Sequence, residues 1–396
     1  HKLMGGAFRV GVARTLVVRA LAQVAGISPA IMSYRLMGHW EPSVASYQRL
    51  LLPEDASDTS PDAHSRPYPF FLATPLTDPL ETLGPLRDWQ IEWKWDGIRA
   101  QLIRRQDDIL LWSRGEELIT DRFPEIVRAA DMAVPEGTVL DGELLAWLGT
   151  EPLPFAQLQR RIGLKKVTPR ILSEVPVVFL VYDLLEWQGN DLREQPLQER
   201  RRLLESWHQS HDRDRLKLSP VHTLGGWAEV EKLLAQAREH ATEGLMLKRT
   251  SSRYGVSRTR GDWWKRKIEP FHMDAVLVYA QSGSGKRASL FTDYTFAVWD
   301  QGVLVPVAKA YSGLTIEEIR QVDKFIRANT TERFGPVRVV KPELVFELAF
   351  EGIQRSPRHK SGVAVRFPRM ARWRTDKKPE EADTLDTLKG MIRSQG

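Results

Sequence analysis

The 396-residue chain carries 57 Lys and Arg against 51 Asp and Glu, for a formal net charge of +6 and a pI near 9.4. At roughly 150 residues per domain, this length predicts two or three globular domains. The basic balance favours a polyanionic partner such as nucleic acid. The absence of Cys excludes disulfides, thiolate nucleophiles, iron–sulfur clusters and Cys-ligated zinc. No apolar run reaches the ~18 residues of a membrane helix, so we expect a soluble protein.

The distribution of apolar and turn residues predicts four segments. Helical spacing of apolar residues predicts a short helical segment over 1–52, and a stretch rich in Pro, Asp and Ser predicts a linker over 53–69. Short β-rich runs that alternate with amphipathic helices predict a mixed α and β domain over 70–267. Helices in that domain are expected at residues 199–208 and 227–240.

The last segment, 268–396, is dominated by strand-like runs. One helix is predicted from Ile316 to Ala328, because Thr315 and Glu318 form a capping-box sequence ahead of an apolar periodicity. The expected strands are 273–280, 291–299, 303–310, 337–340, 344–350 and 363–367. Several short strands and one helix in about 125 residues predict a small β-barrel of the oligonucleotide-binding (OB) type.

A candidate nucleophile lies in the alternating segment 91–96. As a strand, it would bury Ile91, Trp93 and Trp95 and present Glu92, Lys94 and Asp96 on the other face. Gly97 follows where the backbone must turn or approach a neighbour closely, and Arg99 returns a cation to the site. Taken alone, Lys94 fits an exposed strand lysine as well as a nucleophile.

Three further strand-like segments place charged groups in pairs. Asp141 and Glu143 share one face and are suited to Mg²⁺ or a ribose hydroxyl. Glu243 opens a strand, and Lys265 and Lys267 fall side by side, where they repel unless an anion lies between them. A lysine, separated carboxylates and twin lysines are what nucleotidyl transfer requires, namely a nucleophile, metal ligands and cations for the α-phosphate.

These segments follow one another in an order that resembles the motif series of the covalent nucleotidyltransferases. The matching segments are 94–99, 113–115, 140–143, 181–183, 243–248, 264–267 and 374–377. The series looks most like that of bacterial ATP-dependent DNA ligases with a helical DNA-binding domain ahead of the catalytic core. The resemblance implies an α+β fold, with a nucleotidyltransferase (adenylation) domain followed by an OB-fold barrel.

The resemblance also implies a three-step reaction. Lys94 would attack the α-phosphate of ATP and release pyrophosphate. The AMP would pass to the 5′-phosphate at a nick in duplex DNA, and the 3′-hydroxyl would then displace AMP. The expected metal is Mg²⁺, with Mn²⁺ as a substitute. A free lysine has a pKa of about 10.4, so neighbouring cations and desolvation would have to favour the neutral amine.

Roles for the remaining residues follow from the same resemblance, position by position. Nucleotide contacts are implied for Glu92, Arg99, Glu143, Tyr182 and Lys248, with Tyr182 stacked on adenine. Metal ligation is implied for Glu143 and Glu243, and α-phosphate contacts for Lys265 and Lys267, with Asp96 in the catalytic set. Arg114 would receive the nick 5′-phosphate, and Arg374, Asp376 and Lys377 would orient the leaving pyrophosphate.

We therefore expect a monomer that works without a membrane on nicked DNA in replication, repair or recombination, in the bacterial cytoplasm at the nucleoid. The segment 5–11 resembles the late part of a longer DNA-binding domain, so we expect a shortened N-terminus, normal self-adenylylation and weak nick sealing. Basic residues from Arg355 to Lys378, and also Arg253, Arg258 and Arg260, favour contact with the nucleic-acid backbone.

Three alternatives are compatible with parts of this pattern. An RNA ligase or an mRNA-capping guanylyltransferase shares Lys-x-Asp-Gly and the two-domain plan. A nucleic-acid-binding protein with an inactive transferase fold would keep the basic surface without the chemistry. The segment 282–287 resembles a phosphate-binding loop but lacks its first Gly and the Ser or Thr after Lys286. NAD⁺ as the AMP donor is disfavoured because ligases of that type carry a Cys-ligated zinc module.

Overall fold

A computed structural model describes residues 12, 14–37, 43–53, 63–164, 167–209, 214–283 and 289–393. The chain divides into two compact units, His1–Ile268 and Glu269–Gly396. The described helices are α1 (Arg14–Ala25), α2 (Pro29–Arg35), α3 (Val44–Leu50), α4 (Pro124–Ala133), α5 (Phe155–Ile162), α6 (Pro169–Glu174), α7 (Leu197–Gln209), α8 (Trp227–Ala235), α9 (Ile316–Ala328) and α10 (Leu385–Arg393). Short 3₁₀ helices lie at Ala63–Ser65, Leu80–Leu83, Leu86–Asp88, Thr120–Arg122 and Pro379–Glu381.

The strands are described separately for the two units. The first unit contains β1 (Phe71–Leu72), β2 (Thr74–Pro75), β3 (Trp89–Trp95), β4 (Ile98–Arg105), β5 (Asp108–Ser113), β6 (Thr138–Leu148), β7 (Glu151–Pro152), β8 (Val177–Trp187), β9 (Asn190–Asp191), β10 (Leu216–Leu218), β11 (Thr242–Arg249), β12 (Ser257–Arg258) and β13 (Trp263–Lys267). The second contains β14 (Phe271–Ser282), β15 (Phe291–Asp300), β16 (Val303–Ala310), β17 (Thr330–Phe334), β18 (Val337–Val340), β19 (Val345–Phe350), β20 (Gly352–Arg355), β21 (Val363–Arg366) and β22 (Arg369–Trp373).

Helices α1–α3 form the N-terminal segment, with a break between α1 and α2. Ser28 caps the N-terminus of α2 by accepting a hydrogen bond from the Ile31 amide, so a new helix begins after α1. Arg35 donates to the carbonyls of Leu50, Leu52 and Pro53 and so fastens α3 to α2. In the part of the chain described here, no single helix is long and apolar enough to span a membrane. Helices α1 and α2 pass that test only as a pair bent by 106°.

The second half of the predicted linker differs from the expectation. Residues 63–69 pack against β4, because Tyr68 is buried and its amide and carbonyl bond the side chain of Gln101. Tyr68 also stacks on Tyr34 of α2, with ring centroids 5.8 Å apart. The Pro-rich composition hid Tyr68, the aromatic side chain that supplies the burial. The other half of the linker, residues 54–62, and the ligase-like segment 5–11 lie outside the described residues.

Two sheets face each other in the first unit. The larger has the order β10-β8-β6-β4-β5 and the smaller the order β2-β13-β11-β3. Helices α4, α5 and α7 cover the outer side of the larger sheet, and α8 covers the outer side of the smaller one. Apolar side chains between the sheets form a third core that includes Phe71, Trp112 and Trp263. Helix α8 is shorter than predicted and ends at Ala235.

The second unit is a strongly curved sheet around one core. Strand β14 is long enough to pair with β15 along one edge and with β19 and then β18 along the other. Helix α9 has the predicted bounds and the predicted capping box between Thr315 and Glu318, and it packs Val322 and Ile326 into the core. The sequence missed three strands, β17, β20 and β22, and the helix α10. Arg, Glu and Gln occupy many positions of these strands, which masked their periodicity.

Candidate functional site

The inner face of the smaller sheet carries the predicted nucleophile. Strand alternation places Gln90, Glu92 and Lys94 of β3 on this face. The antiparallel register aligns Lys248 with Gln90 and Met246 with Glu92, and Lys94 falls opposite an irregularity in β11 around Glu243 and Gly244. Beyond β11, the strand β13 continues the same face with Trp263, Lys265 and Lys267. At one end of the resulting surface Glu92 and Lys248 pair with each other, and the other end is rich in lysine.

Lys94 is the centre of the lysine-rich end. Its Nζ donates a hydrogen bond to Glu243 Oε2, and Lys267 Nζ lies 3.4 Å from the same oxygen. The Lys94 and Glu243 side chains keep 20% and 17% of their surface exposed, so the pair is reachable from solvent. The sequence predicted that an anion must separate the twin lysines. Here the Glu243 carboxylate contacts one of them, Lys267, and Lys94 as well.

Gly244 allows this arrangement. Its φ of +135° and the 2.1 Å separation between a Cβ at this position and the carbonyl oxygen of Arg266 exclude any side chain. Strand β13 can therefore approach β11 closely enough to bring Lys267 to Glu243. Gly97 acts similarly at the end of β3, where a Cβ would lie 2.3 Å from the carbonyl oxygen of Leu144. That contact brings the end of the nucleophile strand against β6 of the larger sheet.

Glu143 of β6 is an ionisable group that faces Lys94 from the larger sheet. Burial raises the pKa of Glu143 to about 8, against the opposing effects of Lys94 and Arg99, while Asp141 and Glu243 raise the pKa further. The position of Glu143 is fixed by pairing of β6 with β4, in which Glu143 lies opposite Arg99. A desolvated carboxyl beside Lys94 and Glu243 is a place where added positive charge would be stabilising.

Asp141 forms a buried hub beneath the site. Its two oxygens accept hydrogen bonds from Arg99, from the Tyr182 hydroxyl at 3.2 Å and from the Tyr254 hydroxyl at 2.6 Å. Burial works to lower the pKa of Arg99, but Asp141 outweighs it and holds that pKa well above its usual value. The sequence predicted that Asp141 and Glu143 act together as a pair of ligands. In the structure, Asp141 instead bonds Arg99, Tyr182 and Tyr254, and only Glu143 faces Lys94.

The opposite end of the inner face is deeply buried. Glu92 and Lys248 form an ion pair of 2.7 Å, each with only 2% of its side chain exposed. The Lys248 ammonium lies 4.3 Å from the ring centroid of Tyr182 and 4.7 Å from that of Trp263. The sequence predicted that Glu92 and Lys94 share a face, which they do, but Glu92 is covered by the second sheet.

Lys265 and Arg114 lie at more open positions. Burial and then the Lys94 ammonium lower the pKa of Lys265, with Arg258 and Lys267 acting in the same direction. Asp96 follows the end of β3 and is half-buried. Arg114 is exposed in the turn after β5, where its amide bonds the carbonyl of Arg99 at 2.9 Å. Within the described residues, its guanidinium has no ion-pair partner.

The predicted motif of the second unit is organised around Asp274 of β14. Arg374 donates to both Asp274 oxygens at 3.0 and 3.1 Å and to Asp376 at 2.8 Å. Lys377 donates to the same Asp274 at 2.6 Å. The hydrogen bond from Arg374 lowers the pKa of Asp376 well below its usual range. All three predicted residues of this motif therefore lie together, on an anchor that the sequence did not reveal.

The residues that could hold a metal are Glu143 and Glu243. Among the described residues, no group of three or more His, Cys, Asp or Glu side chains is placed to cage a metal ion. Burial and the nearby Glu243 raise the pKa of Glu143. A pair of carboxylates beside lysine ammonium groups fits Mg²⁺, which commonly binds one or two carboxylates together with water and substrate phosphates. The donor set is made of hard oxygen ligands.

The raised pKa of Glu143 has a consequence for stability. Since the folded-state pKa lies near 8 and the ordinary value is 4.5, the folded state binds more protons across this window and loses stability as the pH rises through it. We expect Glu143→Gln to be more stable than the wild type above pH 8, by at most about 5 kcal/mol. The difference should shrink to near zero below pH 4.5. Thermal unfolding from pH 4.5 to 9, without nucleotide or metal, measures it.

The exposed Glu151 of β7 provides the control for this pH dependence. Glu151→Gln should leave the unfolding temperature within about 1 °C of the wild type at every pH, as surface substitutions usually do. A stability difference between Glu143→Gln and the wild type that does not change with pH would contradict the expected titration of Glu143.

Several residues of the site carry no sequence signal of their own. Four residues that make or border the contacts described above did not stand out from the sequence, namely Gln90, Met246, Tyr254 and Asp274. For Gln90 and Met246 the signal was present in part, because both lie two residues from a predicted site residue on the same strand face. Tyr254 and Asp274 had none.

Comparison with known proteins identifies the fold. A family profile described as "ATP dependent DNA ligase domain" matches residues 70–267, and one described as "ATP dependent DNA ligase C terminal region" matches residues 287–377. The solved structure "Pmar-Lig_PreS3" covers 83% of this chain and 75% of its own, with a TM-score of 0.61 at 18% identity. A structure of a Lig E DNA ligase covers 77% of this chain and 99% of its own, with a TM-score of 0.52 at 20% identity.

Curated relatives give the same result. A "Probable DNA ligase" of Koribacter versatilis is 35% identical over 100% of this chain and 71% of its own length. A "Probable DNA ligase" of Opitutus terrae is 40% identical over 78% of this chain and 33% of its own, and a "DNA ligase" of Archaeoglobus fulgidus is 32% identical over 78% and 56%. This chain thus spans between a third and about 70% of the length of these relatives.

The two units define the class as a nucleotidyltransferase domain followed by an OB-fold domain, which confirms the predicted fold class. Within that class, the chain belongs to the ATP-dependent DNA ligase family. The resemblance drawn from the motif series is confirmed. The alternative of an RNA ligase or capping guanylyltransferase is not favoured by these matches.

Proposed function

We propose that this chain seals nicks between a 5′-phosphate and a 3′-hydroxyl in duplex DNA, through a lysyl-AMP intermediate on Lys94. The observation that carries the proposal is the contact set of Lys94. Its amine bonds Glu243, which also lies beside Lys267, and Glu143 faces it from the second sheet. A reachable lysine among paired cations and carboxylates matches the demands of phosphoryl-group capture.

The nucleotide would lie along the inner face, with its base at the buried end. Tyr182 of the larger sheet would stack on one face of adenine. Met246 of β11 lies on the facing smaller sheet, where it is paired with Glu92 of β3 on one side and with Lys265 of β13 on the other. Stacking on an aromatic ring contributes ~1 to 3 kcal/mol without choosing the base. Glu92 and Lys248 border this position, and Arg99 and Glu143 would contact the ribose.

The phosphates would then lie at the lysine-rich end. The amine of Lys94, once neutral, would attack the α-phosphorus, forming an N–P bond as the bond to the β-phosphate oxygen breaks. Lys265 and Lys267 would stabilise charge on the α-phosphate, with Asp96 beside the nucleophile. Arg374, Asp376 and Lys377 would orient the leaving pyrophosphate. Within the first unit, Glu243 holds Lys94 and Lys267 together, and within the second unit Asp274 holds Arg374 and Lys377. Each of these two cation groups would stabilise phosphate charge.

Mg²⁺ is the metal we propose for this site, with Mn²⁺ as a substitute. Glu143 and Glu243 would hold it. When bound, it would neutralise the developing charge on the phosphates.

DNA is the proposed partner, bound by a monomer. Arg114, next to the site and without a partner in the described region, would receive the nick 5′-phosphate. Arg258 of β12 and the following Arg260 are also exposed and would contact the DNA backbone. We assign residues 70–267 to adenylation, 268–396 to the OB fold, and the helices of 1–52 to DNA binding, with 53–69 between them.

The test combines two assays on the wild-type chain. Incubation with α-labelled ATP and Mg²⁺, followed by denaturing electrophoresis, should label the protein, whereas α-labelled GTP should not. A fluorescent nicked DNA duplex should then be sealed and a nicked RNA duplex should not. Labelling by GTP together with sealing of RNA alone would overturn the proposal in favour of the capping or RNA ligase alternative.

A further inference from the structure

One contact at the buried end of the site is not part of the activity proposed above. The side-chain amide of Gln90 donates a hydrogen bond of 2.7 Å to Glu92 Oε1, which also accepts one from Lys248 Nζ at 2.7 Å. Gln90 is buried, and cross-strand register places it directly beside Lys248. Two donors therefore converge on one oxygen of a carboxylate that is itself almost completely buried.

This convergence fixes the direction of the other oxygen. A carboxylate oxygen has two lone-pair sites, and Gln90 and Lys248 together occupy those of Oε1. Within the described residues, Oε2 of Glu92 makes no hydrogen bond. With Gln90 absent, the carboxylate could rotate and offer both oxygens to the Lys248 ammonium. Gln90 is what keeps one oxygen free.

We propose that Gln90 is a positioning residue for base selection, which holds Glu92 so that Oε2 accepts a hydrogen bond from an exocyclic amine on C6 of the donor purine. The inference rests on the proposed function. An ionised carboxylate only accepts hydrogen bonds, so it favours the amine of adenine and repels the carbonyl oxygen of guanine. Stacking on Tyr182 tolerates either base. Discrimination between adenine and guanine therefore depends on hydrogen bonds to the polar edge of the base.

The test compares three nucleotides in the formation of lysyl-nucleotide at subsaturating concentration. The nucleotides are ATP, purine riboside triphosphate, which lacks the amine, and GTP. Purine riboside triphosphate cannot make the hydrogen bond to the Glu92 carboxylate. The wild type should therefore prefer ATP over this nucleotide by roughly 10- to 100-fold, the cost of losing a hydrogen bond to a charged group. Gln90→Leu, which is similar in volume, should lower this preference at least about fivefold. The loss should come from a higher KM for ATP, with kcat changed less than about twofold.

Gln101→Leu is the matched control, because Gln101 is also buried on a strand and its amide bonds only the Tyr68 backbone. It should lower stability and leave the nucleotide preference unchanged. Gln90→Asn, one methylene too short to reach Glu92, repeats the test if Gln90→Leu does not fold. Full ATP preference in the Gln90 variants would overturn the inference alone. Absence of lysyl-nucleotide in the wild type would overturn the proposed function with it.

Discussion

Lys94→Ala is expected to abolish labelling of the protein by α-labelled ATP, a loss on the order of 10⁴-fold or more, as for other catalytic nucleophiles. The substitution removes the amine that bonds Glu243, and the ammonium of Lys267 is held 3.4 Å from that same carboxylate. Lys94→Arg should be equally inactive while keeping the ion pair with Glu243, because a guanidinium stays protonated and is a poor nucleophile. Denaturing electrophoresis after incubation with ATP and Mg²⁺ measures both variants.

The control for this substitution is Lys217→Ala, which removes a partly buried strand lysine of β10 outside the site. It should label like the wild type. A second readout uses a nicked duplex that already carries AMP on its 5′-phosphate. Lys94→Ala should still seal it, because the last step needs the 3′-hydroxyl and not the lysine. Labelled Lys94→Ala protein would remove this residue from the mechanism.

Asp141→Asn is expected to lower stability by about 3 to 5 kcal/mol and adenylylation by roughly 100-fold. The substitution leaves the buried guanidinium of Arg99 facing a neutral amide and weakens the anchors of Tyr182 and Tyr254. Both the fold and the wall of the proposed nucleotide site depend on these contacts. Chemical denaturation and the labelling rate measure the two effects separately.

A double variant shows whether the effect arises from the buried charge. Adding Arg99→Met to Asp141→Asn should recover part of the lost stability, since the uncompensated charge is removed. Asp131→Asn serves as the matched control, because its side chain is 68% exposed in a surface pair with Arg104 and should cost less than about 1 kcal/mol. Additive losses in the double variant would show that Asp141 and Arg99 act independently.

Local patterns in the sequence were sufficient where the structure depends on neighbours along the chain. The capping box of α9, the strand β16 and the alternation of Gln90, Glu92 and Lys94 were all readable, because each involves residues only a few positions apart. Trp95 shows the limit of this approach. Alternation predicted a buried residue, but Trp95 lies at the end of β3, partly exposed and bonded to Ser219.

The remaining features depend on contacts between distant segments. Tyr254 lies 113 residues from Asp141, and Lys248 lies 156 residues from Glu92. No periodicity links such pairs. The sequence therefore could not show that Asp141 is hydrogen-bonded to three partners or that Glu92 is buried. The polar residues of β3 alone have the pattern of a solvated strand face. In the structure the larger sheet covers that face.

The most direct test of the account is the location of the covalent bond. Intact-mass measurement after incubation with ATP and Mg²⁺, followed by peptide mapping of the native adduct, should show one AMP group per chain, attached to the peptide that contains Lys94. We expect modification of that amine and of no other lysine. An AMP group on Lys265 or Lys267, or an unmodified chain that nevertheless seals nicked DNA, would contradict it.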